Sequence, residues 1–107
     1  MGDREKSGIQ AFKKRLVDRF GNGVELILFG SVARGTATTD SDIDLLALLP
    51  VEVNNAIEEE VFSIAYDVEL EFDIILGIIV YPLSFWRSPR AAAMPLHQNI
   101  SREGVAL

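Results

Sequence analysis

Asp42 and Asp44 stand two residues apart at the entrance to an apolar run over residues 43–49. Side chains alternate along an extended strand, so both carboxylates project from one face, roughly 7 Å apart along the backbone. Two like charges held together need a counter-charge. A divalent cation is the simplest provider, and carboxylate oxygens suit magnesium or manganese. Asp73 is a third candidate. It lies between Phe72 and Ile74 in an apolar stretch, where a lone carboxylate is costly unless paired or metal-bound. If the two strands are neighbours, Asp73 can reach the same site, with Glu71 on the same face as its competitor. Asp40 reads as a turn residue.

Gly30 and Ser31 supply the complementary chemistry. They directly follow a short apolar strand, and the next residues suffice for about one helical turn. Such a turn can expose backbone N–H groups and a hydroxyl to an anion, and glycine lets a phosphate approach the main chain. Arg34, three residues on, adds positive charge. No Gly-Lys-Ser/Thr follows, so this is not a Walker loop. A phosphate-holding turn beside a divalent-metal cluster outlines a phosphoryl or nucleotidyl transfer site.

The elements that must position these residues are legible in outline. Residues 7–20 read as an amphipathic helix with Ile9, Phe12, Leu16, Val17 and Phe20 on one stripe. Residues 24–29 and 43–49 read as strands, the second stopped by Pro50, and residues 36–41 as a surface loop. Asn54 caps a helix over residues 55–67 with Ile57, Val61, Ile64, Ala65 and Val68 on its apolar face. Residues 69–82 read as a third strand. Residues 83–87 suit a helical turn, residues 88–94 a loop, and Pro95 opens a short helix ending before Gly104. The expected fold is α/β (α+β): a small mixed sheet of three to four strands with helices packed on it.

The 107 residues suffice for one compact domain over 1–107, with a flexible N-terminus of about 1–7 and a C-terminal tail of about 84–107. A formal charge of −6 argues against a general nucleic-acid binder. The absence of cysteine excludes disulfides and thiolate metal sites. The N-terminus lacks the apolar core of a signal peptide and no apolar run is long enough to span a bilayer, so the expected location is cytoplasmic. Tyr81, Phe85 and Trp86 fit either an interface or ordinary core. His97 reads as structural or solvent-exposed, and Arg87, Arg90 and Arg102 as surface cations. The last residues suit an edge strand, and a homodimer through such an edge is compatible with the pattern.

Gly30–Ser31, ten further residues and then Asp-Ile-Asp at 42–44 resemble the signature of the DNA polymerase beta-like nucleotidyltransferase superfamily. The stretch GSVARGTATTDSDIDLLAL looks like its minimal nucleotidyltransferase branch, and NISREGVAL at 99–107 is similar to the tail of that minimal domain. The resemblance implies the polymerase beta-like fold across the chain. It implies that Asp42, Asp44 and Asp73 bind two Mg2+ ions (Mn2+ as a substitute) and that Gly30 and Ser31 contact the terminal phosphates of ATP. Arg34 is the cation added to that site. The implied reaction is attack by a hydroxyl on the alpha phosphorus, with release of pyrophosphate. In this branch the implied acceptor is a tyrosine of a HEPN-type toxin, for which the domain is the antitoxin. Two other readings stay open: an antitoxin acting by contact alone, and a nucleotidyltransferase for small molecules.

Overall fold

The computed structural model describes residues 1–38 and 42–107. Helix α1 spans Asp3–Phe20 and buries Ile9, Phe12, Leu16 and Phe20, the stripe expected from helical spacing. It begins four residues before the predicted start. Asp3 and Glu5 in its first turn suit the positive helix end, and Arg4 is tied across the fold to Asp73. Strand β1, Glu25–Phe29, leads into a five-residue helix, α2, Gly30–Arg34, which ends on a left-handed Gly35. Strand β2 covers Ile43–Leu49, as read from its apolar run.

Helix α3 runs Asn55–Phe72, and Asn54 caps it by accepting from the backbone N–H of Ile57 at 2.9 Å. Here the sequence reading needs correction: residues 69–72 belong to this helix, and the third strand, β3, covers only Leu76–Pro82. The cause is visible in the spacing. Leu70, Phe72 and Ile74 alternate like a strand, but Val61, Ala65 and Val68 carry the helical stripe forward, and Glu and Leu are good helix formers. Packing of that stripe against α1 and the sheet decides for the helix.

The chain finishes in three short helices, α4 (Leu83–Trp86), α5 (Pro89–Ala92) and α6 (Pro95–Glu103), and a two-residue strand, β4 (Val105–Ala106). Ser88 caps α5, a turn of helix where a loop was expected, and Pro95 opens α6 as expected.

The sheet has the order β3-β2-β1-β4. Strand β1 pairs antiparallel with both β2 and β4, while β2 and β3 are parallel, joined by the α3 crossover. Central β2 is covered on both faces. Ile43, Leu45, Ala47 and Leu49 meet α1 and α3, and Leu46 and Leu48 meet Trp86 and Ile100. Burial on both sides is why this strand reads as a continuous apolar run. The aromatic group belongs to the second core: Tyr81 stacks on Phe85 with centroids 5.5 Å apart, and Trp86 lies 4.5 Å from the His97 ring. His97 Nε2 lies 3.1 Å from the Trp86 carbonyl oxygen and Nδ1 lies 3.3 Å from Ser101 Oγ, which is the structural role expected for it. Among the described residues no helix is long and apolar enough to cross a membrane.

Candidate active site

The two faces of the sheet separate the predicted site residues. Asp44 projects from β2 on the same side as Leu46 and Leu48, away from α1 and α3. Asp42, exposed just before the strand, shares that side by alternation. On β1, Phe29 is the register partner of Asp44, so the chain turns into α2 directly beside the carboxylate. Gly30 takes φ +74°, and a β-carbon there would lie 2.2 Å from Asp44 Oδ2. Only glycine allows both this backbone conformation and this approach.

A cleft of about 340 Å³ opens at this junction. Gly30, Ser31, Arg34 and Asp44 line it from the sheet side, and Leu96, Asn99 and Glu103 of α6 line it from the other. Burial and the neighbouring charge of Asp42 push the Asp44 carboxyl above its usual range, and Arg34 pulls it the other way. Arg34 Nη1 donates to Glu103 Oε2 at 2.9 Å. The structure thus brings Asp44, Gly30, Ser31 and Arg34 together, with Asp42 near enough for its charge to act on Asp44.

Asp73 does not join them. It is the C-cap of α3, in the left-handed conformation at φ 54°, a position that Asp tolerates better than most residues. Its side chain is 92% exposed and accepts from Arg4 of α1 at 3.2 Å. It therefore sits with the helix pair on the other face of the sheet. Glu71, its competitor, lies in α3 and pairs with Arg15. On β3 the residue beside Asp44 is Gly77, and a β-carbon there would lie 2.8 Å from Asp44 Oδ1. The expectation of a third carboxylate from that strand fails because the chain reaches β3 only after Asp73. Among the described residues no group of three His, Cys, Asp or Glu is placed to hold a metal ion. Asp40, read as a turn residue, lies outside the described residues.

The pair that remains fits magnesium. Mg2+ keeps several waters and takes one or two carboxylates plus substrate phosphates, and does not need an all-protein cage. The absence of side chains at Gly30 and Gly77 is what lets the Asp44 carboxylate take this position against both strands.

Glu103 and Asn99 were not singled out as cleft residues in the sequence. Both lie in the C-terminal run 99–107, which carried the resemblance, but only the packing of α6 places them against α2.

Doubly covered β2 carries Asp44, with Asp42 just before it, and neighbouring β1 turns at Gly30 into the short helix α2 beside them. The family model described as "Nucleotidyltransferase domain" matches residues 9–96, and the chain belongs to that family. Two relatives from Methanocaldococcus jannaschii both carry the name "Putative protein adenylyltransferase". One is 34% identical over 76 residues, 70% of this chain and 50% of that protein, so the match takes in half of the relative's length. The other is 28% identical over 104 residues, 96% of this chain and 97% of that protein. Among solved structures, that of a toxin-antitoxin with AMP-PNP superposes with a TM-score of 0.60 at 21% identity, covering 89% of this chain and 68% of that one. That likeness bears out the mixed α/β fold expected for a polymerase beta-like nucleotidyltransferase.

Proposed function

We propose that this chain transfers AMP from ATP to a hydroxyl of a protein partner, a tyrosine of a HEPN-type toxin, and so acts as an antitoxin. The observation that carries the reading is the convergence of Asp44, Gly30, Ser31 and Arg34 on one cleft, with the charge of Asp42 near enough to act on Asp44. The names of the relatives and the likeness to the toxin-antitoxin structure with AMP-PNP point the same way.

Asp42 and Asp44 are the residues that hold Mg2+. The bound metal supplies charge neutralisation for the triphosphate and for the oxygens entering and leaving the alpha phosphorus. Ser31 and the first N–H groups of α2, which have no acceptor within the helix, bind phosphate oxygens. Arg34 adds a cationic contact at the α6 side. The acceptor oxygen forms a bond to the alpha phosphorus, the bond to the bridging oxygen breaks, and pyrophosphate leaves.

The acceptor's proton needs a destination, and the residue beside Asp44 on β3 is Gly77, which is no base. A phenol, with an ordinary pKa of about 10, gives its proton to solvent far more readily than an alkyl alcohol. This supports tyrosine as the acceptor. The same two-carboxylate site favours a second reading, in which the domain binds nucleotide and silences its partner by contact.

The test uses ATP labelled at the alpha phosphate, with Mg2+ and lysate of the source cells, comparing the natural chain with the Asp42→Asn/Asp44→Asn variant. Label on one small protein, only with the natural chain, is the expected result. No label in a lysate containing the unmodified partner leaves the contact reading.

A further inference from the structure

We propose that Glu103 is a positioning residue: it holds the Arg34 guanidinium at the lip of the cleft, in place to receive the triphosphate. The inference rests on the nucleotide-binding part of the function proposed above and goes beyond it. It concerns a residue from the far end of the chain.

Arg34 is the last residue of a five-residue helix, and its side chain is 50% exposed. A long side chain in that setting has many rotamers, and few of them direct its charge into the cleft. Glu103 is the more buried partner, at 24% exposed. Its backbone is restrained on both sides. The preceding turn of α6 is anchored by buried Ile100. The following residues pair with β1, Val105 opposite Leu28 and Ala106 opposite Ile27, and the Leu107 N–H donates to the Leu26 carbonyl at 2.9 Å. The carboxylate is the fixed member of the pair, and the guanidinium is the member it orients.

The bond from Nη1 to Glu103 does not exhaust Arg34. A guanidinium carries five N–H donors in a planar fork, so one edge can stay on the carboxylate while another meets phosphate. Retaining the pair is also the better electrostatic solution. If Arg34 left Glu103 to bind the nucleotide, the carboxylate would line the cleft beside a triphosphate with only the more distant Arg102, 3.9 Å away and 70% exposed, to offset its charge, and the like charges would repel. With the pair intact, Glu103 is neutralised and Arg34 still presents donors. The C-terminal strand and the last turn of α6 thus become part of the nucleotide site without touching the nucleotide.

The test is a double-mutant cycle on binding of a non-hydrolysable ATP analogue with Mg2+, using the full chain with Glu103→Ala, Arg34→Ala and the double variant. Glu103→Ala is expected to weaken binding about tenfold in the natural background and less than twofold when Arg34 is already alanine. Glu103→Gln, which keeps an acceptor oxygen, is expected to recover most of the affinity. In transfer assays the loss should fall on KM for ATP, with kcat within about twofold. Should Glu103→Ala fail to fold, as judged by circular dichroism and melting, the Glu103→Met variant, which keeps the length of the side chain but removes the acceptor oxygens, provides the cycle in the two Arg34 backgrounds. Equal weakening in both Arg34 backgrounds overturns the proposal, since Glu103 would then act without Arg34. Tighter binding in Glu103→Ala overturns it in favour of a latch. If the natural chain binds the analogue and Glu103→Ala binds it equally well, the inference falls alone. If the natural chain binds none, the nucleotide reading falls and takes this inference with it.

Discussion

Asp44 and Gly77 are register partners on the parallel strands β2 and β3, and a β-carbon on Gly77 would lie 2.8 Å from Asp44 Oδ1. The strand beside Asp44 therefore presents a glycine, and no carboxylate, at the register position next to it. In the function proposed above, metal holding accordingly falls to Asp42 and Asp44 alone.

Replacing either aspartate should separate activity from stability. Asp42→Asn or Asp44→Asn is expected to cut AMP transfer by at least about 100-fold. Asp44 has a carboxyl raised by burial and by Asp42, so the folded chain binds its proton more tightly than the unfolded chain does. Ionised Asp44 then opposes folding, fully so above its folded value, and this cost disappears below about pH 4. Asp44→Asn should accordingly melt at or slightly above the temperature of the natural chain at pH 7 without added metal. The gain should vanish in acid. A lower melting temperature at pH 7 would contradict the electrostatic account.

Asp73 should be dispensable for chemistry. Its exposed carboxylate pairs with Arg4 on the helical face of the sheet. Asp73→Asn keeps a residue that tolerates the left-handed conformation and is expected to leave transfer within about twofold. The lost surface ion pair should cost less than about 1 kcal/mol. A 100-fold loss of transfer in this variant would place Asp73 in the site after all.

Divalent metal should stabilise the natural chain through the aspartate pair. At about ten times its dissociation constant, Mg2+ should contribute about 1.4 kcal/mol, a rise of roughly 5 °C in melting temperature. The Asp42→Asn/Asp44→Asn variant should show no such rise in a thermal shift assay. An equal rise in both would mean that the ion binds elsewhere.

Gly30 and Gly35 have nearly the same left-handed φ, +74° and +75°, but different surroundings. Nothing lies within 4 Å of a β-carbon built at Gly35, whereas one at Gly30 strikes Asp44. Gly35→Ala is expected to cost about 1 kcal/mol in stability and to spare transfer. Gly30→Ala should cost about 1–3 kcal/mol and also abolish transfer by displacing the carboxylate. Equal activities for the two variants would remove Gly30 from the site.

Much of this was legible without coordinates, for local reasons. Asp42 and Asp44 sit on one strand, so their shared face follows from alternation alone. Gly30, Ser31 and Arg34 fall within one turn of each other, so their grouping is also local. Asn54 capped a helix where a cap should be, and Pro95 opened one. Asp73 shows where local reading stops. Residues 69–74 satisfy both a twofold and a helical period, and only contact of Val68 and Phe72 with the main core separates the two.

The amino-acid order by itself determined the buried central strand, its paired carboxylates and the glycine turn before it, because each depends on neighbours a few residues away. Tertiary structure alone decided that Asp73 faces Arg4, that Gly77 stands beside Asp44 and that Glu103 reaches Arg34. Arg4–Asp73 and Arg34–Glu103 each span 69 residues, and Asp44 meets Gly77 only through the α3 crossover. The register of a parallel pair and the packing of a terminal helix are set by burial of whole faces, and no short stretch of sequence contains them.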